Sequence, residues 1–305
     1  MLNISKLFET RYHWFTLSFL FLMVVTLYLL AAFHPAKSHN PSANTLKPLQ
    51  SDHTNVQASQ GTSISDLEHL HQVMASHDYS YDLLRENTDS VPRLYCANFP
   101  QDLKNLKGME HKKELFLKVL LPMVLAVNEG ILKDRAQLLK LRDKVDQGRM
   151  LDVEEREWLE DLAELYKLKR IDIAELIRRV DTIPPSMALA QAAVETGWGQ
   201  SYAALKKNSL FGMMKTLDKV RFYDTLHEST ASYIRNLNTN DAYREMRETR
   251  EQIRSQGKKP DGHTLIGDLV RYSVQRKLYI SKIRSAIKNN NLAHLDRAKL
   301  QLAKI

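Results

Sequence analysis

The sequence predicts a mainly α-helical protein, and three observations carry that prediction. Glycine (10) and proline (9) are scarce in 305 residues, whereas Leu, Ala, Glu, Lys and Arg, which lose little freedom in a helix, are abundant. Apolar residues between about 110 and 180 recur near helical spacing. Strand-like alternation is confined to one short stretch, Lys219–Tyr223. A chain of this length holds one sizeable domain with extensions.

Residues 14–33 are uncharged throughout and dominated by Leu, Phe, Val, Ala and Tyr. At about 1.5 Å per residue such a run spans a roughly 30 Å hydrocarbon core. Ala31, Ala32, Phe33, His34 and Pro35 form a poor cleavage context, so the segment is expected to stay as a single-pass anchor behind a tail over 1–13. Tyr12 and Trp14 sit at its entry edge, where amphipathic rings favour the interface. Lys6 and Arg11 before the span nearly balance Lys37 and Lys47 after it. The orientation, tail inside and large domain outside, therefore follows from the size of what is translocated. Residues 34–65 are rich in Ser, Asn, Gln, Pro and Thr and read as a flexible tether.

A helical subdomain is expected over 66–180. It opens with a weak helical arm over 66–87 and extended chain over Val91–Pro100, where Pro92 and Pro100 act as breakers. Leu115, Val119, Val124, Val127, Ile131 and Leu132 form one apolar stripe, which Pro122 is expected to kink. Asn128 and Glu129 interrupt this stripe. They are either catalytic helpers or members of a buried hydrogen-bond network, and the network is the preferred reading. Gln147 and Gly148 form a break, after which Trp158, Leu159, Leu162, Leu165 and Tyr166 restart a helix. Leu176, Ile177 and Val180 then lead to a turn at Asp181–Pro184.

The segment from Pro184 to Gly199 is the most informative in the chain. Two prolines open it, suiting a first helical turn that needs no N–H partner. Small and apolar residues follow up to one carboxylate, Glu195, and the helix is expected to break at Gly197. A carboxylate at the end of a buried helix, next to Trp198 and at a chain reversal, is poorly hydrated, and its pKa rises toward the range of a general acid. A carboxylate that merely caps a neighbouring helix fits the same pattern. Downstream, helices are expected over Glu228–Leu237, Tyr243–Gln256, Leu265–Tyr272 and Tyr279–Asn289, with a strand over Lys219–Tyr223.

The formal charge of +8 is spread through most of the chain as interleaved acids and bases, as on any solvated helical surface. No aromatic-basic platform suggests a nucleic-acid partner. Cys96 is the lone cysteine, so no intramolecular disulfide is expected, and a buried structural thiol is the preferred reading. His69, His71 and His77 lack metal-ligand spacing. No metal or cofactor is implied.

Four motifs in order, over about residues 90–294, resemble the bacterial Bax-type glucosaminidase-domain proteins, relatives of peptidoglycan-cleaving β-N-acetylglucosaminidases of glycoside hydrolase family 73. Ala188 to Gly199 matches A-L-A-Q-A-A-x-E-S-G-W-G, with Thr196 for Ser. Asn208 to Gly212 matches N-x-L-F-G. Glu228, Ser229 and the run Tyr233–Tyr243 match E-S-x-x-x-Y-x-x-N-L-N-T-x-x-A-Y. Tyr272, Ser273 and Tyr279 match the Y-S-x-x-x-x-x-Y pair. The resemblance implies a lysozyme-like glucosaminidase domain over 181–294, followed by a tail over 295–305. It also implies cleavage of the β-1,4 bond after N-acetylglucosamine, with peptidoglycan glycan strands as partner. The anchor would then lie in the bacterial inner membrane and the domain in the periplasm.

The resemblance makes Glu195 the general acid and sets Tyr272 across the cleft as a second catalytic group. Trp198, Asn208, Phe211 and Tyr279 become substrate-binding or cleft-shaping residues. The loop after Gly212 is shorter than in relatives that use it to supply a second carboxylate, leaving Asp218, Asp224 and Glu228 nearby, of which Glu228 reads as a helix-start residue. Two alternatives remain open at the level of sequence. A lytic transglycosylase also uses one Glu at a helix end, and a non-catalytic wall-binding module needs none.

Overall fold

The computed structural model describes residues 61–80, 90–216 and 219–302. The expected anchor over 14–33, the tether up to residue 60, and Asp218 lie outside the described residues. Among the described residues the architecture is helical, and strand pairing is limited to isolated bridges of Thr62 with Cys96, Val91 with Leu300, and Met214 with Val220.

Helix α1 (Leu67–Ala75) starts at Asp66, whose side chain accepts from His69 N. The next helix, α2 (Met109–Asp146), runs for 38 residues. Leu115, Val119, Val124 and Ile131 are buried and Val127 is half-buried, whereas Leu132, also expected in the stripe, faces solvent because it lies about 100° round the helix from Ile131. Pro122 does not end it, because packing on both flanks replaces the support of the missing backbone bond. By length and composition α2 is able to cross a membrane, yet 78% of its most apolar window is buried inside the protein. Helices α5 and α7 lie against it, so its apolarity is that of a core helix.

Helix α3 (Val153–Leu165) opens with a capping box between Asp152 and Glu155, and α4 (Ile173–Arg179) with an Asp172 cap. Helix α5 (Pro185–Thr196) has proline in its first turn and ends at Gly197 in the left-handed region, φ 58°. Then come α6 (Tyr202–Lys207), α7 (Leu226–Thr239) and α8 (Arg244–Ser255). The chain finishes with the one-turn α9 (Gly262–Leu265), α10 (Lys277–Asn289) and a 3-10 segment at Leu292–Arg297.

Two expectations need correction. Lys219–Tyr223 forms no strand, only the Met214–Val220 bridge. Arg221 and Phe222 are exposed, so no apolar face holds that segment in a sheet. The helix expected over Leu265–Tyr272 is also not continuous. It stops at Leu265, passes through a 3-10 turn at Ile266–Asp268 and then unwinds. Gly267 weakens the helix there, and Tyr272 is drawn into an aromatic cluster.

Helix α5 is the centre of the core. Residues 185–193 and Thr196 are buried, and Ala188, Ala190, Ala192 and Ala193 let α2, α9 and α10 approach closely. Gly262 is required by this closeness, since a Cβ there would sit 2.2 Å from Ser186 Oγ. The buried Asp296 accepts from Ser186 N at 2.7 Å, Ser186 Oγ at 2.8 Å and Gly262 N at 3.1 Å. It thereby ties the start of α5 to α9 and to the C-terminal 3-10 segment.

Just upstream, Asp181 is 2% exposed and is gripped by Arg254 at 2.5 and 2.6 Å. Arg250 lies 3.5 Å and Arg135 3.9 Å away. The fully buried Arg250 also donates to the carbonyls of Asp181, Thr182 and Arg178 and to Asn238 Oδ1. Asn128 clamps Ile183, donating to its carbonyl and accepting from its N–H. Glu129 takes both terminal nitrogens of Arg93, and Arg135 donates to the carbonyls of Ile177 and Val180. Of the polar interruptions of α2, Asn128 makes the expected buried bonds, whereas Glu129 forms a separate, partly exposed ion pair with Arg93. Cys96 is buried, and desolvation pushes its thiol up to about 12.

Desolvation pushes the Asp181 carboxyl up, but Arg250, Arg254 and Arg135 overcome it and hold its pKa below the ordinary 3.8. Asp181→Ala leaves Arg250 buried without its counter-charge, and should destabilise the full chain by about 3–5 kcal/mol in urea unfolding. A loss under about 1 kcal/mol would show that backbone carbonyls alone hold the arginine. Because the folded-state pKa is depressed, the wild type's share of this stability is complete above the unfolded pKa and is lost as pH falls through the folded one.

Candidate active site

The left-handed turn at Gly197 ends α5 one residue after Thr196 and leaves Glu195 at the helix exit. The Thr196 hydroxyl donates to Ala192 O at 2.6 Å and accepts from Gly199 N at 2.9 Å. Ser would make the same two bonds, which accounts for the exchange at this position. Trp198 also has positive φ, 62°. Its ring meets Phe116 edge-on at 5.6 Å and lies under the Lys113 ammonium, so it packs the turn against α2.

Glu195 keeps an open face to solvent, yet protein crowds the rest of its carboxyl. This partial desolvation raises its pKa above the ordinary glutamate value, and a favourable interaction with the Tyr279 hydroxyl offsets part of the rise. On another side lies Gly212, φ 61°. A Cβ at Gly212 would stand 2.9 Å from Glu195 Oε2, so the glycine of N-x-L-F-G is there to let backbone reach the carboxylate.

A polar chain runs behind Glu195. Tyr233 donates to Gln191 Oε1 at 2.6 Å, Gln191 Nε2 donates to Tyr279 Oη at 2.9 Å, and the Tyr279 phenol faces Glu195. Gln191 is fully buried and stands one helical turn before Glu195 on α5. Burial, with the Glu195 charge second, drives the Tyr279 pKa far upward, so its hydroxyl keeps its proton as a fixed donor. Sequence reading missed Gln191 and Tyr233. The available signal was one amide inside an alanine run, four residues before the acid.

The two tyrosines of the last motif stack at 5.4 Å, but their hydroxyls part company. The Tyr272 hydroxyl donates to Phe211 O at 2.8 Å, which fixes the loop that carries Gly212. Phe211 is buried and stacks on Tyr233 at 3.9 Å, so it forms part of the wall behind the site. Asn208 sits in the left-handed region at the end of α6, and its amide donates to the carbonyls of Tyr223 and Asp224. It shapes the short loop. Thr225 caps α7 by accepting from Glu228 N, and Glu228 accepts from Asp224 N at 3.0 Å, one residue before the cap, so Glu228 serves the helix start. Among the described residues no cluster of His, Cys, Asp and Glu has the arrangement of a metal site.

This arrangement offers one partly desolvated carboxyl, a fixed phenol donor beside it and a backbone wall at Gly212. It can hold a proton to higher pH than an ordinary glutamate does and pass it to a group presented at the open face. Residues 171–292 match the glucosaminidase family model, described as mannosyl-glycoprotein endo-beta-N-acetylglucosaminidase. Over 235 residues the chain is 32% identical to Protein bax of Escherichia coli (strain K12), spanning 72% of this chain and 80% of that protein. No solved structure matches.

Tyr279→Phe removes the hydroxyl that favours the charged form of Glu195 while burial stays, so the Glu195 pKa should rise further. Carboxyl-carbon NMR titration of Glu195 would show this as an upward shift. An unchanged or lower value would place the phenol out of contact with the acid.

Proposed function

This chain belongs to the Bax-type glucosaminidase family, and on that premise we propose that it hydrolyses peptidoglycan at the β-1,4 bond after N-acetylglucosamine. The observation that carries the reading is the environment of Glu195, a carboxyl with raised pKa at a helix exit, backed by Gly212 and met by Tyr279. Glycoside cleavage needs a proton at the leaving oxygen and support for an oxocarbenium-like centre. Glu195 supplies the first.

For the second we propose the substrate's own acetamido group. Burial and Tyr279 account for the pKa of Glu195, with no carboxylate among the described residues acting on it. In this route Glu195 gives its proton to the glycosidic oxygen as the acetamido carbonyl oxygen bonds to C1 and the C1–O bond breaks. Water then opens the resulting ring, losing a proton to Glu195, and the configuration at C1 is retained. Tyr279 holds the Glu195 carboxyl in place. Tyr272 is a positioning residue, acting through Phe211 O on the Gly212 turn. Trp198 and Asn208 fix the two loops that border the acid. The anchor over 14–33 and the tether would hold this domain on the periplasmic side of the inner membrane.

Glu195→Gln keeps shape and hydrogen-bonding reach but has no transferable proton, so release of glycan fragments should fall by about 10²–10⁴-fold in an unchanged fold. Wild-type activity should decline as pH rises through the Glu195 pKa, and the variant should lack that limb. Mass spectrometry of digested sacculi should show reducing N-acetylglucosamine ends. Anhydro-muramyl ends would identify a lytic transglycosylase instead, and binding without release a wall-binding module.

The full chain should also fractionate with the inner membrane and resist extraction by high salt, since burial of the apolar span is not screened by ions. A soluble form lacking the first 32–36 residues would identify 14–33 as a cleaved signal.

A further inference from the structure

Helix α10 presents Tyr279 to Glu195 on one face and something different on the other. A cavity of about 470 Å³ is lined by His263, Gly267 and Val270 and by Lys277, Ile280, Ser281, Arg284, Ser285 and Lys288 of α10. At about 100° per residue, these six α10 residues fall within an arc roughly 140° wide on the side away from Tyr279. A ligand there does not touch a glycan held at Glu195.

The cavity is built around Arg284. Its Nε donates to His263 O at 3.2 Å, which orients the guanidinium. Gly267 leaves room for it, since a Cβ there would lie 2.7 Å from Nη2. Among the described residues Lys277, Arg284 and Lys288 have no carboxylate partner. The neighbouring acids are Asp261, Asp268 and Asp296. Asp261 is spent on capping Thr264, and Asp296 on Ser186 and Gly262. Buried Asp268 Oδ2 bonds to none of these cations. The wider surroundings are basic too, with ten Lys and Arg against three Asp between Lys258 and Lys299.

We propose that this cavity binds a phosphate group, carried by a lipid headgroup or free in solution. Three uncompensated cations and two serine hydroxyls call for a ligand with several acceptor oxygens and more than one unit of negative charge. A phosphate meets that demand better than a single carboxylate. The site is independent of the glycosidase reading, and its failure leaves Glu195 untouched.

The test is calorimetric titration of the full chain in neutral detergent at low salt, with inorganic phosphate and separately with a short-chain phosphatidylglycerol. Saturable one-to-one binding should weaken at least about tenfold in the double variant Arg284→Gln, Lys288→Gln, and should weaken with added salt. Tighter binding of the lipid assigns the site to a headgroup, and equal or tighter binding of inorganic phosphate assigns it to the free anion. No saturable binding of either probe, or equal binding by variant and wild type, overturns the proposal. Should the double variant misfold, Ser285→Asp at an exposed position places a carboxylate in the cavity and should abolish binding. Retention of binding by a folded Ser285→Asp protein counts against the site.

Discussion

The whole structure is arranged around the enclosure of α5. A helix with so many small side chains has little surface of its own to bury, and becomes stable by letting neighbours approach until backbone and side chain nearly touch. That closeness is unforgiving. It demands glycine at 262, where a Cβ would collide with Ser186 Oγ. It also leaves no water to satisfy the start of the helix, so protein groups must do so. Asp296 takes Ser186 N, and the Asp181–Arg250–Arg254 cluster with Asn128 holds the turn that feeds the helix. Fixing the entrance of a rigid helix fixes its exit, and Glu195 stands at the exit.

At that exit two opposing effects set the acid. Desolvation raises the pKa of Glu195, and the Tyr279 hydroxyl restrains the rise. The folded form therefore binds its proton more tightly than the unfolded chain does, so ionising Glu195 lowers stability as pH climbs through the window between the two pKa values. The fold tolerates this because the groups behind the acid are fully satisfied. Gln191 is held at both ends of its amide, its oxygen by Tyr233 and its nitrogen by Tyr279, so the chain behind the acid stays in place when the proton moves.

Much of this was legible in the chain, and what was not legible has a common cause. Local rules located the helices. The proline at the start of α5 and the glycine at its end are readable within a few residues. Asn128 in α2 was readable as part of a buried network because Asn is too polar for an apolar stripe. Pairings across long sequence separations were not readable. The resemblance set Tyr272 across the cleft as a catalytic group, yet its hydroxyl is bound to Phe211 O and it is the Tyr279 hydroxyl that faces Glu195. Only the path of the loop after α9, broken near Gly267, decides which is which. Likewise the closeness of Gly212 to Glu195 depends on Asn208 and Tyr272 folding a short loop back across the end of α5.

The two faces of α10 limit how the molecule can use them together. Its inner face packs on α5 through Tyr279 and neighbouring apolar residues, and its outer face carries Arg284 and the lysines. A tightly packed helix does not slide by small amounts, because close-packed interiors resist continuous deformation. For an anion on the outer face to change the chemistry at Glu195, it would have to bind two distinct positions of α10 with different affinity. The Gln191–Tyr279 bond and the stack of Tyr272 on Tyr279 both oppose a second position. The arrangement therefore favours independence of the two faces, in which an anion on the outer face leaves the acid on the inner face fixed.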